Sequence, residues 1–515
     1  MKKMKLLCLA AAVLLGHGIL IAEPKLPRIF GENMVLQRDI ELPVWGWADP
    51  GEEVSVDFAG QSKKAEADKN GEWKLKLDKM PASAEGREFK VSSSKQGNPL
   101  VLKNVLVGDV WFCSGQSNME WCVGACNSPD DVKSADFPNI RNIKVSHVSS
   151  EMPEKDISAS GWRICSPQTV SGFTAAGFFF AREIQKETGI PIGLIDDNWG
   201  GTTIEPWCSR ESLGSIPELE VIYKAYETKL ANYRKLVSEK LPDVEQWVEK
   251  VKKALAENKE LPKLPLAPNP CSSGPCAIFN AMVAPVIPYG IKGALWYQGE
   301  SNGGDGDIYF HKMRALIGGW RKLWQEGDFP FYFVQLANYT EGGDGYAKIR
   351  CAQTKALSIP NTGMAVIIDI GEANNIHPKN KQDVGKRLAL WSLAKDYGKK
   401  DLVFSGPLFK EMKIEGNKIR LSFDNLGSGL MIGKKTGLTP TAEDKEAKLK
   451  RFAIAGEDKK WVWADALIEN DSVVVSSPEV SSPVAVRYAF SANPEGANLY
   501  NREGLPASPF RTDNW

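Results

Sequence analysis

Five short apolar runs, at Val105–Phe112, Ile192–Asp196, Gly293–Tyr297, Phe331–Leu336 and Met364–Asp369, are separated by longer stretches, among them helix-like segments at 177–188 and 379–396. Continuous apolar strands separated by helical segments predict a parallel sheet flanked by helices, because only strands covered on both faces can be apolar throughout. The same runs predict where a ligand binds. Gly115-Gln116-Ser117-Asn118-Met119, Asn198-Trp199-Gly200-Gly201-Thr202 and Gln298-Gly299-Glu300-Ser301-Asn302 each directly follow one run, and Asn374-Asn375-Ile376-His377-Pro378 lies just past a fourth. All four polar clusters therefore fall at the carboxyl edge of the sheet, where open α/β sheets bind ligands.

The chain of 515 residues is too long for one ordinary core, so several domains are expected. Residues 1–22 read as a signal peptide. Lysines precede an apolar run from Leu6 that ends in Leu20-Ile21-Ala22. That run is shorter than the ~20 residues of a membrane span, and no later segment is long and apolar enough to cross a membrane. The expectation is export to the periplasm or the extracellular space.

Residues 23–103 form short alternating runs split by Asp49-Pro50-Gly51 and Lys69-Asn70-Gly71, which predicts a small β-sandwich. Residues 104–399 carry the α/β pattern. Within them, 210–262 is rich in Lys and Glu with Leu219, Tyr223, Tyr226 and Leu230 at helical spacing. This is a helical insertion running through a Pro-rich stretch to about residue 270, either a solvated hairpin or a lid. Residues 400–515 return to short strands packed on the core.

Lys plus Arg and Asp plus Glu both number 64, so no basic face is expected for a nucleic acid. Eight cysteines follow the leader and leave about 105 full pairings open. Cys271 and Cys276 could close a small loop. None of the four histidines lies near a cysteine pair at zinc-ligand spacing.

Ser117 opens a short helix after a strand, where backbone N–H groups favour a developing oxyanion. A capping serine would look the same, so the assignment rests on the joint pattern. His17 lies in the leader, and His147 and His311 have no polar cluster around them, which leaves His377 as the candidate general base.

Gly-Gln-Ser-Asn-Met, Trp-Gly-Gly-Thr-x-Ile-Glu, Trp-Tyr-Gln-Gly-Glu-Ser-Asn and Ile-His-Pro, in that order, resemble the sialate O-acetylesterase branch of the SGNH hydrolases. The ending from Asn498-Leu499-Tyr500-Asn501-Arg502 to Phe510-Arg511-Thr512 resembles that branch too. The resemblance runs from about residue 25 to 515 and is weakest in the insertion. It implies an SGNH-type α/β core and a serine acetylesterase acting on an acetylated sugar or glycan through an acetyl-enzyme. It implies no metal and no cofactor. Ser117 would be the nucleophile and His377 the base. The oxyanion hole would comprise the N–H groups of Ser117 and Gly200 and the side-chain amide of Asn302.

Many such enzymes carry Asp three residues before the histidine, where this chain has Asn374. Asp369, Glu372 and Asp383 are candidate third groups, and a Ser-His dyad is the alternative. Gln116, Glu205, Trp207, Gln298 and Glu300 are candidate substrate contacts. The leading expectation is a sialate O-acetylesterase. An acetylxylan or other polysaccharide acetylesterase is the nearest rival, and a catalytically dead carbohydrate-binding protein a third reading. An α/β-hydrolase lipase is disfavoured because Asn118-Met119 follows Ser117 in place of the x-Gly of the nucleophile elbow.

Overall fold

The computed structural model describes residues 24–95, 98–263, 265 and 274–515. The expected leader and Cys271 lie outside the described residues. The remaining seven cysteines are free thiols, most of them buried.

The α/β core is a central sheet in the order Thr362–Ala365, Phe331–Val334, Gly293–Tyr297, Leu100–Gly115, Ile192–Asn198, Phe137–Lys144, Arg163–Cys165. All neighbours are parallel except the last pair. The five expected strands are present. Two of them are shorter: Phe331–Val334 ends before Leu336, and Thr362–Ala365 before Asp369. Phe137–Lys144 is an additional parallel strand. Its Pro, Asn and Arg residues interrupt any apolar run, and buried Arg141 is compensated by the carbonyls of Pro138 and Asn33.

Side-chain alternation along the central strand divides the core into two layers. Trp111 and Cys113 face a cluster with the helices Ala175–Thr188 and Lys381–Lys395, while Phe112 faces the helix Ile308–Trp324.

The strand Leu100–Gly115 runs through the boundary expected at 103. Its first half pairs with Ser83–Ser93 and with Val35–Gln37, so the N-terminal β layer and the α/β core share one strand. The pair Leu42–Trp47 and Glu72–Leu77 packs its apolar side chains into the same core.

Among the described residues the insertion holds the short helix Arg210–Gly214 and one long helix, Glu220–Ala256, rather than a hairpin, and only Tyr226, Leu230 and Ala254 along the long helix are buried. The C-terminal region has its own core between two antiparallel four-stranded sheets. Among the described residues no helix is long and apolar enough to cross a membrane.

Candidate active site

Parallel register sets the site. Gly115 is paired with Asn198 on one side and Tyr297 on the other, so three loops leave the sheet at one level. Gly115 has φ +139°, and a Cβ there would lie 2.2 Å from the Tyr297 carbonyl oxygen; no other residue fits. The chain then turns into the one-turn helix Ser117–Glu120. The Ser117 N–H, at the helix start, donates to no protein group among the described residues.

Ser117 Oγ lies 2.8 Å from His377 Nε2. His377 comes from the loop after the Thr362–Ala365 strand. Its backbone N–H donates to Asn375 Oδ1, and its ring stacks on Trp121 at 4.8 Å. Burial, and secondarily the charge of Lys381, hold its pKa below the ordinary histidine range.

Among the described residues no carboxylate contacts the imidazole. Asp369 is clamped by Arg387 at 2.6 and 2.8 Å and also accepts from Tyr500. Glu372 accepts from the Lys379 N–H and from Asn375. Asp383 accepts from Asn380 and pairs with Lys435 at 2.6 Å. None of the three expected candidates therefore reaches His377. Asn374 is exposed.

The oxyanion donors differ from expectation. Asn302 is 3% exposed, and its amide donates to Asp305 at 2.8 Å and Glu205 at 3.3 Å, while its carbonyl accepts from Gln298 and Ile204. Both amide hydrogens are engaged in a buried network completed by Lys312, which also pairs with Glu205 and Asp305. Asn302 thus builds the wall and has no free donor. Gln116 offers one: its Oε1 accepts from Ser301 and Gly299, and its Nε2 has no protein acceptor among the described residues. Gly200 lies against Ser117, since a Cβ on it would stand 3.2 Å from the Ser117 Cβ. Its N–H donates to Glu120 Oε2 at 2.7 Å.

Among the candidate substrate contacts, Trp207 is fully buried and donates to Thr202, and Gln298 is fully buried between Asn302 and Tyr309. Both are structural. Glu205 is engaged with Lys312. Glu300 accepts from Asn118 Nδ2 at 2.5 Å, and burial raises its pKa.

Four residues of the site escaped the sequence reading. Glu120 pairs with His147, 3.0 Å away, and His147 stacks on Trp199 at 4.7 Å. His147 thus does have a polar cluster, contrary to expectation, because the loop after Phe137–Lys144 reaches the same edge. Asn118 donates to the Ile376 carbonyl and accepts from Lys381 Nζ. Lys381 is fully buried, sits 4.9 Å from the Tyr297 ring centroid, and burial pushes its pKa down to about 7. Only the spacing of Glu120, one turn after Ser117, was a usable signal. Among the described residues no group of His, Cys, Asp and Glu could hold a metal ion.

A family model described as carbohydrate esterase, sialic acid-specific acetylesterase, matches residues 107–247 and 277–393. The chain is 29% identical to the sialate O-acetylesterase of Mus musculus, over 93% of this chain and 92% of that protein. It is 29% identical to the one of Homo sapiens, over 93% and 90%. A solved carbohydrate acetylesterase from Xanthomonas citri superposes with a TM-score of 0.80 at 36% identity, covering 96% of this chain and 100% of that one.

Proposed function

The chain belongs to the sialic acid-specific acetylesterase family of carbohydrate esterases and is a carboxylic ester hydrolase, and from that premise we propose that it removes O-acetyl groups from sialic acid through a Ser117–His377 dyad. The observation that carries this reading is the 2.8 Å contact between Ser117 Oγ and His377 Nε2, which is the geometry of a nucleophile and its base.

Ser117 Oγ attacks the acetyl carbonyl while His377 Nε2 takes its proton. The oxyanion is received by the Ser117 N–H, by the Gly200 N–H once Glu120 gives it up, and by the Gln116 amide. His377 returns the proton to the departing sugar hydroxyl. A water then attacks the acetyl-enzyme by the same route, and acetate leaves. The imidazole packs on the Trp121 ring, and the backbone N–H of His377 donates to Asn375 Oδ1, which fixes the loop that carries the base. The half-buried rings of Trp121 and Trp199, stacked on His377 and His147, suit the C–H face of a sugar. The apolar leader at residues 1–22 supports export.

Paired assays of acetate release test the sugar. O-acetyl sialic acid should be hydrolysed with a kcat/KM at least about tenfold above that for acetylated xylan. The reverse ranking would make the chain a polysaccharide acetylesterase with the same machinery.

A further inference from the structure

The C-terminal region carries a surface that the esterase chemistry leaves unused. One of its sheets has the order Trp461–Trp463, Phe452–Gly456, Pro483–Tyr488, Phe510–Arg511. In register, Trp463 faces Ala453, and Ala453 faces Arg487 on its other side; Trp461 faces Ala455 in the next row. Residues directly opposite one another share a face of a sheet. The two tryptophans, the alanines and Arg487 therefore share the outer face, while Ile454, Val486 and Tyr488 point into the core.

The small alanines leave a trough of about 400 Å³ with indoles along one wall. Trp463 is 67% exposed, an unusual cost for the largest apolar side chain and a mark of a binding surface. Two guanidinium groups stand over the indoles. Arg487 is fixed by two bonds to Asp513, at 2.8 and 2.7 Å, and lies 4.1 Å from the Trp461 ring centroid. Arg451 lies 5.8 Å from the Trp463 ring centroid and donates to the Glu495 carbonyl. It has no carboxylate partner among the described residues. Two arginines and no acidic side chain line the trough.

An indole takes the apolar C–H face of a pyranose, and a guanidinium takes a carboxylate through paired hydrogen bonds. We propose that this trough is an accessory glycan-binding site, in which a carboxylate-bearing sugar residue stacks on Trp463 and pairs with Arg451. The site is separate from Ser117 and does not depend on which acetyl ester is cleaved there. Its effect would be to hold the enzyme on an acidic glycan while the dyad acts.

Calorimetric titration of the full-length protein tests it, with sialyllactose and a glucuronic acid-bearing xylo-oligosaccharide as probes and lactose and xylotriose as their neutral counterparts. At least one acidic probe should bind about tenfold or more tighter than its neutral counterpart, and which one binds identifies the sugar acid. Trp463→Ala should weaken that binding by about tenfold or more, and Arg451→Gln should remove the preference for the acid. Both variants should turn over p-nitrophenyl acetate as the wild type does, which separates this site from the catalytic one. Equal binding by Trp463→Ala and wild type would overturn the proposal, as would equal affinity for acidic and neutral probes. So would sedimentation showing a dimer that Trp463→Ala dissolves, which would make the face a self-association surface.

Discussion

Lys381 Nζ donates to Asn118 Oδ1 at 2.5 Å, and the same Asn118 amide donates to the Ile376 carbonyl at 3.0 Å. The residue after Ser117 is thus tied to the residue before His377, and a buried lysine stands behind both. Glu300, Cys126 and Glu372 are the other titratable groups whose charge acts on Lys381. His377 must be neutral to accept the Ser117 proton, and its pKa is held below the ordinary range by burial and by the Lys381 charge. In the wild type, kcat/KM should therefore fall on the acid side only below the usual histidine range. Lys381→Met removes a positive charge that disfavours imidazolium, so the acid limb should move to higher pH. A limb that stays put, in a folded variant, would mean that His377 does not feel Lys381.

Glu120 holds the N–H of Gly200, a donor of the proposed oxyanion hole. Removing the carboxylate frees that donor and removes a like charge from beside the oxyanion. Glu120→Ala should raise kcat/KM for p-nitrophenyl acetate by about 3- to 10-fold, the equivalent of roughly 1 kcal/mol. A fall of the same size would mark Glu120 as part of the machinery rather than an occupant of the hole.

The missing carboxylate has its own test. A triad that depends on its acid loses about 10⁴-fold when that acid is replaced by Asn. Glu372→Ala, Asp383→Ala and Asn374→Ala should each cost about tenfold or less in kcat, far below that triad penalty. Asp369→Ala should cost stability instead, about 3–5 kcal/mol read as a lower melting temperature, because it leaves Arg387 buried and unpaired. Activity lost in one of these variants to the level of His377→Ala, with the fold retained, would identify a third catalytic group.

Asn302 and Gln116 should separate by readout. Gln116→Ala should lower kcat by about 10²–10³-fold with a smaller change in KM, the usual cost of one oxyanion donor. Asn302→Ala should chiefly lower the melting temperature, because Glu205, Asp305 and Gln298 lose a buried partner. The opposite pattern would return the oxyanion role to Asn302.

The strands of the core were legible because buried parallel strands must be apolar along their whole length, and the motif loops because they follow those strands. Phe137–Lys144 was not, since a strand that satisfies Arg141 with backbone carbonyls need not look apolar. The continuity of Leu100–Gly115 across two layers left no compositional mark, because turn signals and burial both change partway along one strand. Ser117 and His377 stood out by type and place. The bond from Asn302 to Glu205, the bond from Gly200 to Glu120, and the meeting of Lys381 with Asn118 are contacts between residues far apart in the chain. They depend on side-chain direction, which periodicity does not encode.

Acetate release by Ser117→Ala tests the proposed nucleophile itself. With circular dichroism matching the wild type, the rate on O-acetyl sialic acid should fall by roughly 10⁴-fold or more. A folded Ser117→Ala protein that still releases acetate within about tenfold of the wild-type rate would contradict the account.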